Sequence, residues 1–325
     1  MSPTSKVAST EKSGLLRDIS RFPEVGLIVM ILVSSTIVTF ISPAFASLGN
    51  AEALLRTIAF TGIIVIGQAI LLIVGELDLS VGSVAGMAAI VAGLLMTSGG
   101  LPIPLAILLA VMCGAGLGLI NGILTTKAGI PSFVVTLSML FVAKGIGYVL
   151  SGGDPVYPLP TEVTMLAKTD ILGLPSSVWI LLILVAVFDQ FMRRASWGRI
   201  AYATGGNART SRFAGIDTDR VKIVAFVLTG ALAAFAGILL TSRLGRADAS
   251  IGLGWELIVL ASAVVGGIRL SGGAGTIAGA FLGLLFLQVI QTGLIFAGVD
   301  AVLQPVVSGL VLVLAVAYDG LHRRT

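Results

Sequence analysis

Glu76 and Asp78 lie two residues apart in Gly75-Glu76-Leu77-Asp78-Leu79-Ser80-Val81-Gly82-Ser83, with an apolar run on either side. Carboxylates flanked in this way are costly where water is scarce, and those that persist face protein or a water-filled path. Carboxylates also accept hydrogen bonds from solute hydroxyls, so Glu76, Asp78 and the adjacent Ser80 are candidates for a solute path or gate; an aqueous turn is the plainer alternative. The stretch has one echo. Val74-Gly75-Glu76-Leu77-Asp78-Leu79-Ser80-Val81-Gly82 matches Val265-Gly266-Gly267-Ile268-Arg269-Leu270-Ser271-Gly272-Gly273 as V-G-x-[LI]-x-L-S-x-G, which sets Arg269 against Asp78 and Ser271 against Ser80.

Two further clusters place charge among glycines. Gly198-Arg199 leads through Ala203 and Gly205-Gly206-Asn207 to Ala214-Gly215-Ile216; its centre can form a short helix, and the glycines let the chain turn sharply at both ends. Ser242-Arg243-Leu244-Gly245-Arg246-Ala247-Asp248 precedes Trp255-Glu256, and its arginines call for either a partner or an interfacial anchor. Other chemistry is excluded by what is missing. None of the lysines has Gly before it and Ser or Thr after it, so the chain has no P-loop and cannot hydrolyse ATP through one. The single histidine, His322, sits in a basic tail, and no His, Cys and carboxylate set has metal-ligand spacing. With no constellation for nucleophilic or acid–base work, the chain is expected to be neither an enzyme nor a holder of a cofactor or metal.

The elements that position these groups belong in a bilayer. The 325 residues are 56% apolar and 11% charged, with a mean hydropathy of +1.07, whereas soluble domains are about 25% charged. Apolar runs fall near 25–42, 55–74, 80–97, 102–124, 131–150, 175–192, 221–241, 256–270, 276–296 and 302–318. At about 20 residues per span these predict ten transmembrane helices and leave no room for a large soluble domain. The expected organisation is a polar tail (1–24), one all-α polytopic domain (25–318) and a short tail (319–325). Ala44-Phe45-Ala46 has the look of a cleavage site, but the run before it is long enough to span.

Ten spans put both termini on one side. Fifteen of the 20 Lys and Arg residues fall on that side; the other receives Arg56, Lys144, Lys168, Arg243 and Arg246. The positive-inside bias then places both termini and the loop 193–220 in the cytoplasm and the loop 151–174 outside. The net charge of +4 therefore reflects topology rather than nucleic acid. Both copies of the echo join spans on the cytoplasmic side, as a parallel repeat would. Gly114, Gly118 and Gly122, and again Gly275, Gly279 and Gly283, leave ridges without side chains on which a neighbouring helix can pack closely. Cys113 is the only cysteine, so no intrachain disulfide forms.

The three motifs Gly75–Ser83, Gly198–Ile216 and Gly254–Gly279 resemble those of the permease subunits of bacterial ATP-binding-cassette importers, in particular the monosaccharide branch that includes ribose permease. In segment order the resemblance covers most of residues 50–320, although the family usually has a second Gly at the place of Glu76 and a small or polar residue at that of Arg269. It implies a type II importer permease-like fold in the bacterial inner membrane, paired with a second permease subunit, identical or paralogous. It also implies a separate ATPase subunit that uses the ATP and docks on Gly198, Arg199, Gly205, Gly206, Asn207, Ala214, Gly215 and Ile216. A periplasmic solute-binding protein would dock at Arg243, Arg246 and Asp248, with Asp248 and Glu256 holding the guanidinium groups until it arrives. Glu76, Asp78, Ser80, Arg269 and Ser271 would line or gate the path of a ribose-like pentose or a hexose. An autoinducer-2-like furanose, a polyol, a nucleoside or a branched-chain amino acid are the alternatives within the class, and an ion-coupled secondary transporter the alternative outside it.

Overall fold

The computed structural model describes residues 23–303 and the isolated positions 306, 309, 310 and 313. The two expected tails and the tenth apolar run thus lie almost wholly outside the described residues. The first nine runs each form a helix. In chain order the helices are α1 (Pro23–Ile41), α2 (Leu48–Ile73), α3 (Val81–Met96), α4 (Ile103–Thr126) and α5 (Ser132–Ser151); then α6 (Thr161–Lys168), α7 (Ser176–Arg194), α8 (Ser196–Gly206) and α9 (Ala208–Phe213); and finally α10 (Thr218–Leu244), α11 (Trp255–Val265) and α12 (Ile277–Phe296). Seven of these, α1, α2, α4, α5, α7, α10 and α12, are long and apolar enough to cross a membrane, whereas α3 and α11 are apolar but shorter.

The loop 193–220 folds as α8 and α9 and defines the basic end of the bundle. At the opposite end the loop 151–174 supplies α6 and a minimal hairpin, β1 (Asp170–Ile171) against β2 (Leu174–Pro175). One residue changes sides. Lys144 lies inside α5, not in an outer connection, so it drops out of the charge comparison between the two ends.

Helix α2 is apolar around its whole circumference, and every residue from Ile58 to Ile73 is buried, as an all-round hydrophobic helix requires. It shares the centre with α10, whereas α1, α4, α5 and α7 turn large apolar side chains outward, among them Phe40 and Phe141. Apolar exteriors of that kind suit lipid rather than water. The Gly114–Gly118–Gly122 ridge of α4 meets α10: a Cβ on Gly118 would stand 2.2 Å from the carbonyl oxygen of Phe226, and one on Gly114 2.6 Å from that of Gly230. Gly279 and Gly283 make the same kind of approach to Gly266 and Ser262, while Gly275 precedes α12 and packs on Ile268.

The expected span over 256–270 takes a different form. After α10 the chain turns at Gly245 (φ 73°) and runs back into the bundle along α3 without helical structure. Ala247 packs at Gly93, the carbonyls of Ala249 and Ile251 at Gly86, and that of Gly252 at Gly82. This descent runs beside α3 from Gly93 to Gly82, eleven residue steps or about 16 Å at 1.5 Å per helical residue. Helix α11, with 11 residues, adds about 16 Å. Neither piece alone spans a hydrocarbon layer of about 30 Å; the two in series do.

Candidate functional site

Glu76, Asp78 and Ser80 sit in the turn between α2 and α3, at the basic end. Gly75 ends α2 in the left-handed region (φ 85°), which places Glu76 beside the start of α10, where its Oε1 lies 2.5 Å from Lys222 Nζ. The two side chains are 12% and 20% exposed. Asp78 is 2% exposed. Its Oδ1 accepts from Ser80 N at 2.6 Å and Ser80 Oγ at 2.5 Å, and its Oδ2 accepts from Asn121 Nδ2 on α4 at 3.3 Å. Asn121 Nδ2 also donates to Ser80 Oγ at 3.2 Å. The protein thus engages all three candidates, and the turn fastens α2 and α3 to α4 and α10. Arg269 and Ser271 are exposed instead, so the five residues expected at a path divide into a buried cluster and an open tip.

The echo is a likeness of helix endings, one residue out of register. Gly75 N–H donates to Leu72 O and Glu76 N–H to Leu71 O; at the end of α11, Gly267 N–H donates to Val264 O and Ile268 N–H to Ala263 O. Gly267 (φ 88°), not Gly266, is therefore the counterpart of Gly75. The two turns touch. Gly273 N–H donates to Ile73 O at 2.9 Å, and a Cβ on Gly272 would lie 2.9 Å from Gly75 Cα. Gly205, in the last turn of α8, is wedged onto both: its Cβ would stand 1.8 Å from Ile73 O and 2.6 Å from Gly273 N.

A second tie runs from α8 to the same place, because Tyr202 OH donates to Gly275 O at 2.8 Å. Burial, with a smaller push from the Asp189 carboxylate, raises the phenol above its ordinary pKa, so it stays protonated as a donor. Sequence reasoning missed Gly75, Gly272 and Gly273 as contact points, and with them Tyr202, Lys222 and Asn121. Glycine in both copies of the echo, facing a third glycine motif in the basic loop, was the available signal.

The remaining basic-loop residues have mostly local roles. Gly198 allows α8 to fold back on α7, with its Cβ position 2.1 Å from Met192 O. Arg199 reaches Arg194 O at 3.1 Å and Ser196 Oγ at 3.2 Å. Asn207 caps α9, accepting from Thr210 N at 2.9 Å. Ala214 and Gly215 (φ 83°) end α9, and Ile216 N–H returns to Ser211 O. Gly206 has nothing within 4 Å of its Cβ position. What α9 offers outward is Phe213, 83% exposed, with Arg209 6.0 Å from its ring centroid. Arg212 and Lys127 both pair with Asp219 at the start of α10.

At the opposite end the three docking candidates separate. Arg243 folds inward, 5.8 Å above the Phe60 ring and 3.5 Å from Arg56 O, whereas Arg246 is exposed. Asp248 turns to its own chain: its Oδ1 accepts from Ser250 N at 2.9 Å and Ser250 Oγ at 2.8 Å. Glu256 lies at the bottom of the descent, over Gly82. The expectation that Asp248 and Glu256 hold the two guanidinium groups is thereby corrected, because the chain between them drops along α3 instead of looping outside.

Comparison with known proteins agrees with this architecture. Residues 50–316 match the family described as branched-chain amino acid transport system / permease component. The chain is 36% identical over 300 residues to the ribose import permease protein RbsC of Bacillus subtilis, covering 91% of each chain. It is 32% identical over 298 residues to the L-arabinose ABC transporter permease protein AraH of Azospirillum brasilense, covering 92% of this chain and 88% of that one. It is 32% identical over 306 residues to the autoinducer 2 import system permease protein LsrC of Photorhabdus luminescens, covering 94% and 92%. No solved structure matches. Nine apolar helices among the described residues, a glycine-built junction between a basic-end helix and two transmembrane turns, and a match over most of the chain place this multi-pass inner-membrane protein in the ABC transporter permease family.

Proposed function

We propose that the chain is the permease subunit of an ATP-driven, binding-protein-dependent importer that carries a monosaccharide inward, with its basic end in the cytoplasm. The solute class is supported by relatives named for ribose, L-arabinose and autoinducer 2, each covering nine-tenths or more of this chain. The observation that carries the mechanism is the seat of Gly205 on Ile73 O and Gly273 N. A displacement of α8 must be passed to the ends of α2 and α11, because there is no side chain between them to absorb it.

A separate ATPase subunit would grip α9 through Phe213 and the arginines around it. Its closure on ATP would move α8 as a rigid lever and open or shut the basic end of the path. The Glu76–Lys222 and Asp78–Ser80–Asn121 contacts then act as the lock of that end rather than as solute ligands. A second permease subunit completes the path, and a periplasmic binding protein meets the opposite end, where Arg246 and Lys168 are exposed cations.

Deleting the gene in its own host and following radiolabelled D-ribose and L-arabinose tests the reading. Loss of ATP-dependent uptake of one of them, restored by the intact gene, is the expected result. Unchanged uptake of both rejects the solute class. Uptake in ATP-free vesicles driven by a proton gradient rejects the coupling in favour of a secondary transporter.

A further inference from the structure

The descent from Gly245 to Gly254 has one side against α3 and one side open. Ala247, Ala249 and Ile251 are buried, whereas Arg246 and Ser250 are exposed and Asp248 is half-buried. Glycines make the buried side possible: a Cβ on Gly86 would stand 2.7 Å from the carbonyl oxygens of Ala249 and Ile251, and one on Gly82 2.1 Å from that of Gly252. The open side is left polar at a depth where lipid tolerates little polarity.

Its backbone repeats the point. Ala247 pairs with Val156 in both directions, and Ile251, Leu253 and Trp255 donate within short turns, but the N–H groups of Arg246, Asp248, Ala249 and Gly252 meet no acceptor among the described residues. Non-helical backbone at membrane depth persists only where protein covers it or where it lines a water-filled cavity. At the foot of the descent stand two ionisable groups within apolar helices. Glu256 is in the first turn of α11, with its carboxylate over Gly82 of α3, and Lys144 lies within α5. Intramembrane ionisable residues of this kind face an aqueous path or one another.

We infer that the open side of this descent lines the solute path, with Asp248 and Ser250 as hydrogen-bonding contacts for a neutral polyhydroxylated solute and Glu256 at the foot of the descent below them. The assignment rests on the permease reading above and places the contacts on a different element from the Glu76–Asp78 turn. Ser250 occupies Oδ1 of Asp248, which leaves Oδ2 as an acceptor, and the unpaired amides are donors. A sugar ring, whose hydroxyls both donate and accept, satisfies such a mixed row; an anion or a cation would meet one attractive and one repulsive charge in Arg246 and Asp248.

The test uses single cysteines at Ser250 and Asp248 in a Cys113→Ala background, exposed in cells to a charged, water-soluble thiol reagent. A cysteine at Leu108, on the outward apolar side of α4 and 55% exposed, is the control. The thiolate is the reactive form and needs water. Both test positions are expected to react at least about tenfold faster than the control; Asp248→Cys is expected to lower uptake of D-ribose or L-arabinose before any modification, and Ser250→Cys to lose its remaining uptake on modification. Reaction as slow as the control in a variant that still transports overturns the path and leaves the permease reading intact. Fast reaction that leaves uptake untouched overturns the solute contacts. If neither sugar is a substrate, the labelling rates still decide whether this side is wet. Two positions guard against one variant failing to fold.

Discussion

At Asp78 the chemistry turns on which atoms a substitute can still offer. Ser80 donates twice to Oδ1 and Asn121 once to Oδ2, and the Oδ1 of Asn121 is buried without a protein partner. Asn at position 78 keeps an acceptor for Ser80, and a half-turn of the Asn121 amide brings its idle oxygen to the new Nδ2. Ala keeps nothing, and strands both Ser80 donors in a site that is 2% exposed, with Asn121 Nδ2 left to Ser80 Oγ alone. Asp78→Asn is therefore expected to cost about 1 kcal/mol and Asp78→Ala about 3 kcal/mol or more. The ratio of thermal inactivation rates of the detergent-purified protein reads the difference. Equal losses would mean that the Asn121 amide does not turn. The neighbouring pair has its own signature: Glu76→Gln should be destabilising, and the exchange Glu76→Lys with Lys222→Glu should recover part of the loss, because a partly buried charge left alone costs more than the pair contributes. No recovery in the exchanged protein would rule out direct pairing as the source of the effect.

For the elements, steric contact ranks the glycines of α8 in a way their sequence context does not. A methyl group at Gly205 collides with two backbones, whereas one at Gly206 meets nothing within 4 Å. Gly205→Ala is thus expected to abolish or sharply reduce uptake while leaving the protein in the membrane, at a cost of about 1–3 kcal/mol for the overpacked contact. Gly206→Ala should transport normally. Comparable transport by the two variants would unseat α8 as the lever. The nine apolar helices were legible because each is a long hydrophobic run bounded by polar or Gly-rich chain. The descent at 245–254 was not legible. Gly245-Arg246-Ala247-Asp248-Ala249-Ser250 has the composition of an external loop, and its depth is set by a distant partner, the face of α3 formed by Gly82, Gly86 and Gly93. Those glycines, four and seven residues apart, lie on one side of a helix, which is the mark such a partner leaves in a sequence. The shift of the echo by one residue was hidden for a related reason: a Schellman-type ending needs only a glycine in the left-handed region, and Val265-Gly266-Gly267 supplies two candidates.

Across the whole molecule, the two ends differ in charge and in construction. The basic end carries Arg193, Arg194, Arg199, Arg209, Arg212, Arg220 and Lys222 within or beside α8 and α9, while the opposite end is closed by α6, the β1–β2 hairpin and the pairing of Arg56 with Glu52 and Asp170. With Lys144 inside α5, the outer complement is smaller than a loop count gives, which strengthens the positive-inside argument for a cytoplasmic basic end. Two residues report on this orientation without touching the core. Leu172, at the tip of the hairpin, is 89% exposed, and Phe213, at the end of α9, is 83% exposed. Cysteines placed there singly, in a Cys113→Ala background, face opposite compartments if the bundle is oriented as proposed. In spheroplasts an impermeant maleimide should label Leu172→Cys at once, and should reach Phe213→Cys only after the membrane is opened with detergent. In inverted vesicles the order should reverse, unless a bound ATPase subunit shields Phe213→Cys; stripping that subunit should then restore its labelling. Labelling of Phe213→Cys in intact spheroplasts, with Leu172→Cys silent, would place the basic end outside. It would also deny α8 and α9 to any ATPase in the cytoplasm, and with them the proposed lever that ends at Gly205.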